Sequence, residues 1–159
     1  MLTCLWVDLT SGQPTHTDSS SASEAVAIIV NKANSVENLS TEELRKYFRL
    51  EREHWPDGRK NTVLMLPPGS PEREVILRQL YHLLENEFTR HFLQANYSGQ
   101  AHSVPKELAS SINVRKFVFN VPGAIGYMRA SEVNDTVKLL RIDGHLPGDS
   151  GYPLRVLSK

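Results

Sequence analysis

Short, wholly apolar runs alternate along this chain with longer stretches in which apolar residues recur every three or four positions. Ala25-Val26-Ala27-Ile28-Ile29-Val30 is continuous, β-branched and closed by Asn31, which predicts a strand buried on both faces. Thr62-Val63-Leu64-Met65-Leu66 reads the same way. Between them Leu44, Tyr47 and Phe48 form the apolar stripe of a short helix. Its start is marked by Ser40-Thr41-Glu42-Glu43, a capping box in which the Ser40 hydroxyl accepts from the Glu43 backbone and the Glu43 carboxylate reaches back. Trp55-Pro56-Asp57-Gly58 is a turn. Pro67-Pro68-Gly69-Ser70 leads into another helix, with Ser70 as N-cap and Pro71 at the first helical position. Ile76, Leu80, Leu83 and Leu84 recur at helical spacing, and Phe88, Phe92 and Leu93 continue in a second helical piece. Ser103 and Pro105 predict the opening of a third, running to about Val118. A strand from Ala124 to Met128 follows, then a last strand, Val137-Lys138-Leu139-Leu140-Arg141-Ile142. Tyr152-Pro153-Leu154-Arg155 reads as a polar, turn-like tail.

The order β-α-β-α-α-α-β-β predicts an α/β fold with a mostly parallel sheet flanked by helices. No internal repeat is visible. Residues 10–24 are polar and carry almost no large apolar group, so residues 1–24 are expected to be a flexible tail and 25–159 the folded domain.

Composition narrows the function classes. With 159 residues, one domain with a proper core is expected. Lys+Arg and Asp+Glu are both 18, which argues against broad electrostatic binding to nucleic acid or anionic membrane, yet a small anion site needs only local donors. Cys4 is the single cysteine, so no internal disulfide forms. No apolar run is long enough to insert directly into a membrane. Met1 to Leu9 is shorter than a signal peptide and lacks its basic start.

The chemistry-bearing patterns are few. His16, His54, His82, His91, His102 and His145 show no zinc-site spacing, and no Walker loop or Gly-x-Ser-x-Gly elbow is present. Asp57 and Asp143 each precede glycine, which is turn chemistry. Tyr81, Phe88, Phe92 and Tyr97 read as core. No nucleophile–base pair is apparent, so a non-catalytic protein without cofactor or metal is expected. The best candidate is the strand–Gly69-Ser70–helix junction: a helix start presents unsatisfied N–H groups and partial positive charge, and here it follows the carboxyl end of a strand. N-capping by Ser70 alone would explain the same residues.

The most informative stretch is Asn120-Val121-Pro122-Gly123-Ala124-Ile125-Gly126-Tyr127, whose one proline and two glycines point to a turn with tight backbone packing. It resembles the Asn-Pro-Gly-Ala-Ile-Gly-Tyr segment of the phosphate-specific ABC transporter substrate-binding family. Further matches follow in order: Ile29-Val30-Asn31 with Asn34, Leu39-Ser40 through Leu44 to Phe48, Trp55-Pro56-Asp57-Gly58, Gly69-Ser70 with Arg73, Leu140-Arg141-Ile142-Asp143-Gly144 and Tyr152-Pro153-Leu154. The resemblance covers residues 25–154. It implies one lobe of a periplasmic-binding-protein fold, phosphate or another small oxyanion as ligand, a membrane transporter or sensor as partner, and a place in the periplasm or cell envelope. It also implies a ligand site at Gly69 and Ser70, with Arg73 and Asn31 nearby.

Two departures stand against ligand capture. Nothing in residues 1–24 resembles the segment that builds the second lobe. And where the family's binding loop reads Arg-x-x-Gly-Ser-Gly-Thr, this chain has Leu66 for the Arg, Pro71 for the second Gly and Glu72 for the Thr. Glu72 and Glu74 then satisfy the helix dipole themselves and repel an anion. Two readings stay open: a weak oxyanion binder, and a protein-interaction module that kept the lobe and lost the ligand.

Overall fold

β1 (Val26–Val30) is buried at every position, as its unbroken apolar run requires. It lies inside a five-stranded sheet that the computed structural model, which describes residues 25–99 and 104–156, orders as β4-β3-β5-β1-β6. The other strands are β2 (Asn38–Leu39), β3 (Thr62–Met65), β4 (Lys106–Glu107), β5 (Ala124–Arg129), β6 (Lys138–Leu139) and β7 (Arg141–Ile142). β3 runs parallel to both β4 and β5. β1 runs antiparallel to β5 and to β6, so four of the five strands share one direction and β1 opposes them. β2 and β7 form a separate parallel pair.

Helices cover both faces. The helices are α1 (Thr41–Phe48), α2 (Pro71–Ile76), continued by a π-helical turn (Leu77–Tyr81), α3 (Glu85–Tyr97) and α4 (Ser111–Asn120). Neighbouring residues on β5 point to opposite faces. Gly126 faces Val114 and Val118 of α4, while Tyr127 faces Phe48 of α1, ring centroids 6.2 Å apart. The core therefore lies in two layers, one on each side of β1, β3 and β5.

Local signals set several elements as expected. Ser40 accepts from the Glu43 backbone at 3.1 Å, and the Ser40 backbone donates to Glu43 at 2.9 Å, closing the capping box. Trp55 sits under its turn, stacked on Tyr47 at 4.2 Å, with Nε1 donating to the Gly123 carbonyl at 3.0 Å.

Other expectations are corrected. Pro105 opens no helix: Lys106 and Glu107 are extended as edge strand β4, and the helix begins at Ser111 with Ser110 as its cap. Ser103 lies outside the described residues, as do the tail 1–24, Cys4, His16 and His102. The last strand is two strands, because the chain changes partner: pairing with β1 ends at Leu140, which donates to the Ile28 carbonyl, and from Arg141 on it pairs with β2. The segment 152–155 is docked and not a polar tail: Tyr152 and Leu154 are buried, Tyr152 donates to the Val26 carbonyl at 2.7 Å, and Val26 donates to the Leu154 carbonyl at 2.8 Å. Tyr97, read as core, is 90% exposed. No helix among the described residues is long and apolar enough to cross a membrane.

Candidate functional site

Parallel strands bring their carboxyl ends to one edge of the sheet, which is where open α/β sheets hold ligands. Here that edge gathers the turn after β3, the end of β5 and the loop after β4. Pro67-Pro68-Gly69-Ser70 forms a type II turn: Gly69 has φ +88°, and the Ser70 backbone donates to the Pro67 carbonyl at 3.3 Å. Glycine is required at 69 by this backbone conformation and not by crowding, since a Cβ there would meet nothing within 4 Å. Ser70 is the N-cap residue of α2 by position, with Pro71 behind it, but its hydroxyl donates to Pro67 at 2.7 Å and makes no cap.

The turn borders a cleft of about 280 Å³, lined by Leu66, Pro67, Ser70, Glu72, Ser110 and Glu132 among others. Two helix starts, α2 and α4, face it, and their dipoles would welcome an anion. The side chains have already answered that demand. Glu72, in the first turn of α2, is buried and forms an ion pair with Nε of Arg129, the last residue of β5. Glu132 adds a second carboxylate.

Arg73 points elsewhere. Its side chain is only 4% exposed, and Glu85 binds it in a bidentate pair at 2.8 and 2.6 Å. Glu107 accepts from it at 3.1 Å, the Leu66 carbonyl at 2.6 Å, and its guanidinium lies 5.2 Å from the Phe88 ring centroid. Burial by itself would lower the Arg73 pKa. Hydrogen bonding and attraction from Glu85, with the Tyr127 and Glu107 oxygens adding, outweigh it, and the net shift is upward. The charge is locked on and spent on two carboxylates.

Asn31 lies at the opposite end of the sheet. It follows Val30, which pairs with Ile125, next to the start of β3 and β5. Its amide donates to the Val118 and Phe119 carbonyls at 2.9 and 2.8 Å and so finishes the C-terminus of α4. The structure thus brings Gly69 and Ser70 together, turns Arg73 into the interior between α2, α3 and β4, and does not bring Asn31 to them.

Arg129, Ser110 and the Glu85–Glu107 pair were not picked out from the sequence. Arg129 had a usable signal: it closes an apolar strand parallel to β3, so it must emerge beside the end of β3. Glu85 and Glu107 lie 12 and 34 residues from Arg73, a pairing that no local pattern encodes. Tyr127 also serves this edge, with its oxygen accepting from the Leu66 backbone at 3.0 Å; burial pushes its phenol well above the usual tyrosine range. Among the described residues no group of three or more His, Cys, Asp or Glu could hold a metal ion.

No protein-family model matches the sequence. Solved structures do match. An ABC-type phosphate transport receptor from Vibrio cholerae superposes with TM-score 0.62 at 21% identity, over 78% of this chain and 48% of that one. A putative phosphate ABC transporter substrate-binding protein with bound phosphate from Clostridium perfringens gives 0.62 at 21%, over 78% and 47%. PstS from Borrelia burgdorferi gives 0.59 at 18%, over 78% and 49%. The chain spans about half the length of these proteins. With four of five sheet strands in one direction and helices on both faces, the chain shares the fold of about half of each of these phosphate-binding structures.

Proposed function

We propose that this chain is a non-catalytic module of the solute-binding type whose oxyanion position is filled by its own Glu72, so that it acts through protein contacts and not by capturing free phosphate. The observation that carries this is the Glu72–Arg129 ion pair at the start of α2, at the carboxyl end of the sheet. A carboxylate held there by a cation and a helix dipole occupies the place an oxyanion would take. Arg73, the other cation of that turn, is engaged with Glu85 and Glu107. An envelope transport or sensing system as its setting, in the periplasm, rests on the likeness to phosphate transport receptors. The competing reading is phosphate capture at Gly69, Ser70 and Arg73.

Thermal unfolding in phosphate, against chloride of matched ionic strength, separates the two. A specific ligand at a hundredfold excess over its Kd would stabilise by about 2.7 kcal/mol. For a domain of this size that is a Tm rise of roughly 5–10 °C. The expected result is no specific rise for the wild type and a saturable rise for Glu72→Gln, which removes the internal carboxylate charge. A saturable rise in the wild type that Ser70→Ala abolishes would establish the competing reading. Silence in both proteins would remove Glu72 as the cause.

A further inference from the structure

α3 is attached to the domain unlike the other helices. Of its thirteen residues only Phe88 is buried, whereas α1 buries three of eight. Its apolar anchorage is a small aromatic cluster, Tyr81 to Phe88 at 5.0 Å and Phe88 to Phe92 at 4.6 Å. Its polar anchorage is the bidentate grip of Arg73 on Glu85. The connection into it is a π-helical turn ending at His82, a non-glycine residue with φ +56°. Beneath it lies a cleft of about 190 Å³ lined by Met65, Arg73, Phe88, Phe92 and Glu107 among others.

We propose that α3 is a strap that opens as a unit about His82 and is held shut by Arg73. The Arg73 contacts divide into two sets. Leu66 and Glu107 hold the guanidinium on the sheet side, and Glu85 holds it on the strap side. When α3 lifts, Arg73 keeps its sheet-side partners and is not left as an orphaned buried charge, the outcome that makes breaking most buried pairs so costly. A charge-assisted bidentate pair supplies a discrete closed state. Sparse apolar burial gives the element an opening free energy below that of the whole domain. π-turns and left-handed non-glycine residues recur at functional sites, switch regions among them. Opening bares Met65 on the sheet side and, on α3 itself, Phe88 and Phe92 beside Leu93, which is already exposed. The inference does not depend on which ligand, if any, the other cleft takes.

Backbone amide exchange on the full chain tests it. In the wild type, α3 amides should exchange faster than those of β1 and β5. In Glu85→Gln, α3 exchange should rise tenfold or more while β1 and β5 stay unchanged. Glu37→Gln, which breaks the exposed pair with Lys138 away from α3, serves as control and should leave α3 as it was. Three results would each overturn the proposal: α3 exchange equal to that of the sheet in the wild type, no change in Glu85→Gln, or a rise that β1 and β5 share.

Discussion

Gly126 is where helix and sheet approach most closely on the α4 face, and replacing it by alanine measures that packing. A Cβ there would lie 2.5 Å from Val114 Cγ1, with Val118 Cγ2 at 3.5 Å and Leu64 Cβ at 3.6 Å. Carbon atoms in favourable contact sit about 3.5–4.0 Å apart, so the Val114 contact is short by about 1 Å. Overpacking of this kind costs about 1–3 kcal/mol, and alanine returns about 0.4–1 kcal/mol by restricting the unfolded chain. The net loss should be about 1–2 kcal/mol, or a Tm drop of roughly 2–8 °C. Because the obstruction is one methyl of a side chain, it can be removed. Val114→Ala alone should cost about 2 kcal/mol from two lost methyl groups and a cavity. In that background Gly126→Ala should cost close to nothing, because its methyl enters the vacated space. Urea unfolding of the four proteins gives the coupling directly, with a favourable interaction of about 1–2 kcal/mol expected. Equal costs of Gly126→Ala in both backgrounds would refute the assignment of the glycine to contact with α4. Gly123 is the contrasting case. A Cβ there would lie 2.0 Å from the Lys60 carbonyl oxygen, and the Gly123 carbonyl accepts from Trp55 and Thr62 at 3.0 Å each. Backbone blocks that position, so Gly123→Ala should cost about 3 kcal/mol or more with no side-chain truncation able to rescue it.

Burial raises the pKa of Tyr81, Tyr127 and Tyr152. The unfolded chain then loses their protons near pH 10 while the folded one keeps them, so stability should fall as pH rises above 10, by up to about 4 kcal/mol per pH unit for the three together. Denaturant midpoints measured between pH 9 and 11 check both sign and steepness, and flat midpoints would contradict the burial of these phenols. Ser40→Ala should cost about 1 kcal/mol by removing a true cap, while Ser70→Ala should stay within about 0.5 kcal/mol because its hydroxyl bonds Pro67 and caps nothing. Paired chemical denaturation of the two variants decides this.

What could be read from the sequence had its cause close by in the chain. The β1 run needed only its own residues, and the Ser40–Glu43 box closes within four positions. Gly123 and Gly126 could be recognised as sites of close approach, though not what approached them. The helix expected from Pro105 failed because proline suits both the first turn of a helix and an edge strand. Backbone pairing with β3, including Leu108 to the Met65 carbonyl at 2.9 Å, decided for the strand. Tyr152 and Leu154 sit in a polar context that conceals them. They are buried because β6 pairs only with the end of β1, and along that edge this segment supplies the backbone partners at Val26.

The site divides along the same line. That the first turn of α2 is acidic was plain in Glu72 and Glu74; where the acid finds its cation was not, since Arg129 lies 57 residues away. The carboxyl end of a parallel sheet collects helix starts and turn amides, and besides caps and water a folded chain can meet that positive potential with a ligand or with a carboxylate of its own. Keeping Gly69 and Ser70 does not distinguish the two, because a type II turn asks for the same glycine whatever binds beyond it. The distinguishing residues are Glu72, placed where its charge satisfies the helix, and Arg129, placed by strand direction to hold it. On the proposed reading this ion pair commits Arg129 to the protein, and the comparison of wild type with Glu72→Gln in phosphate is the test of that commitment.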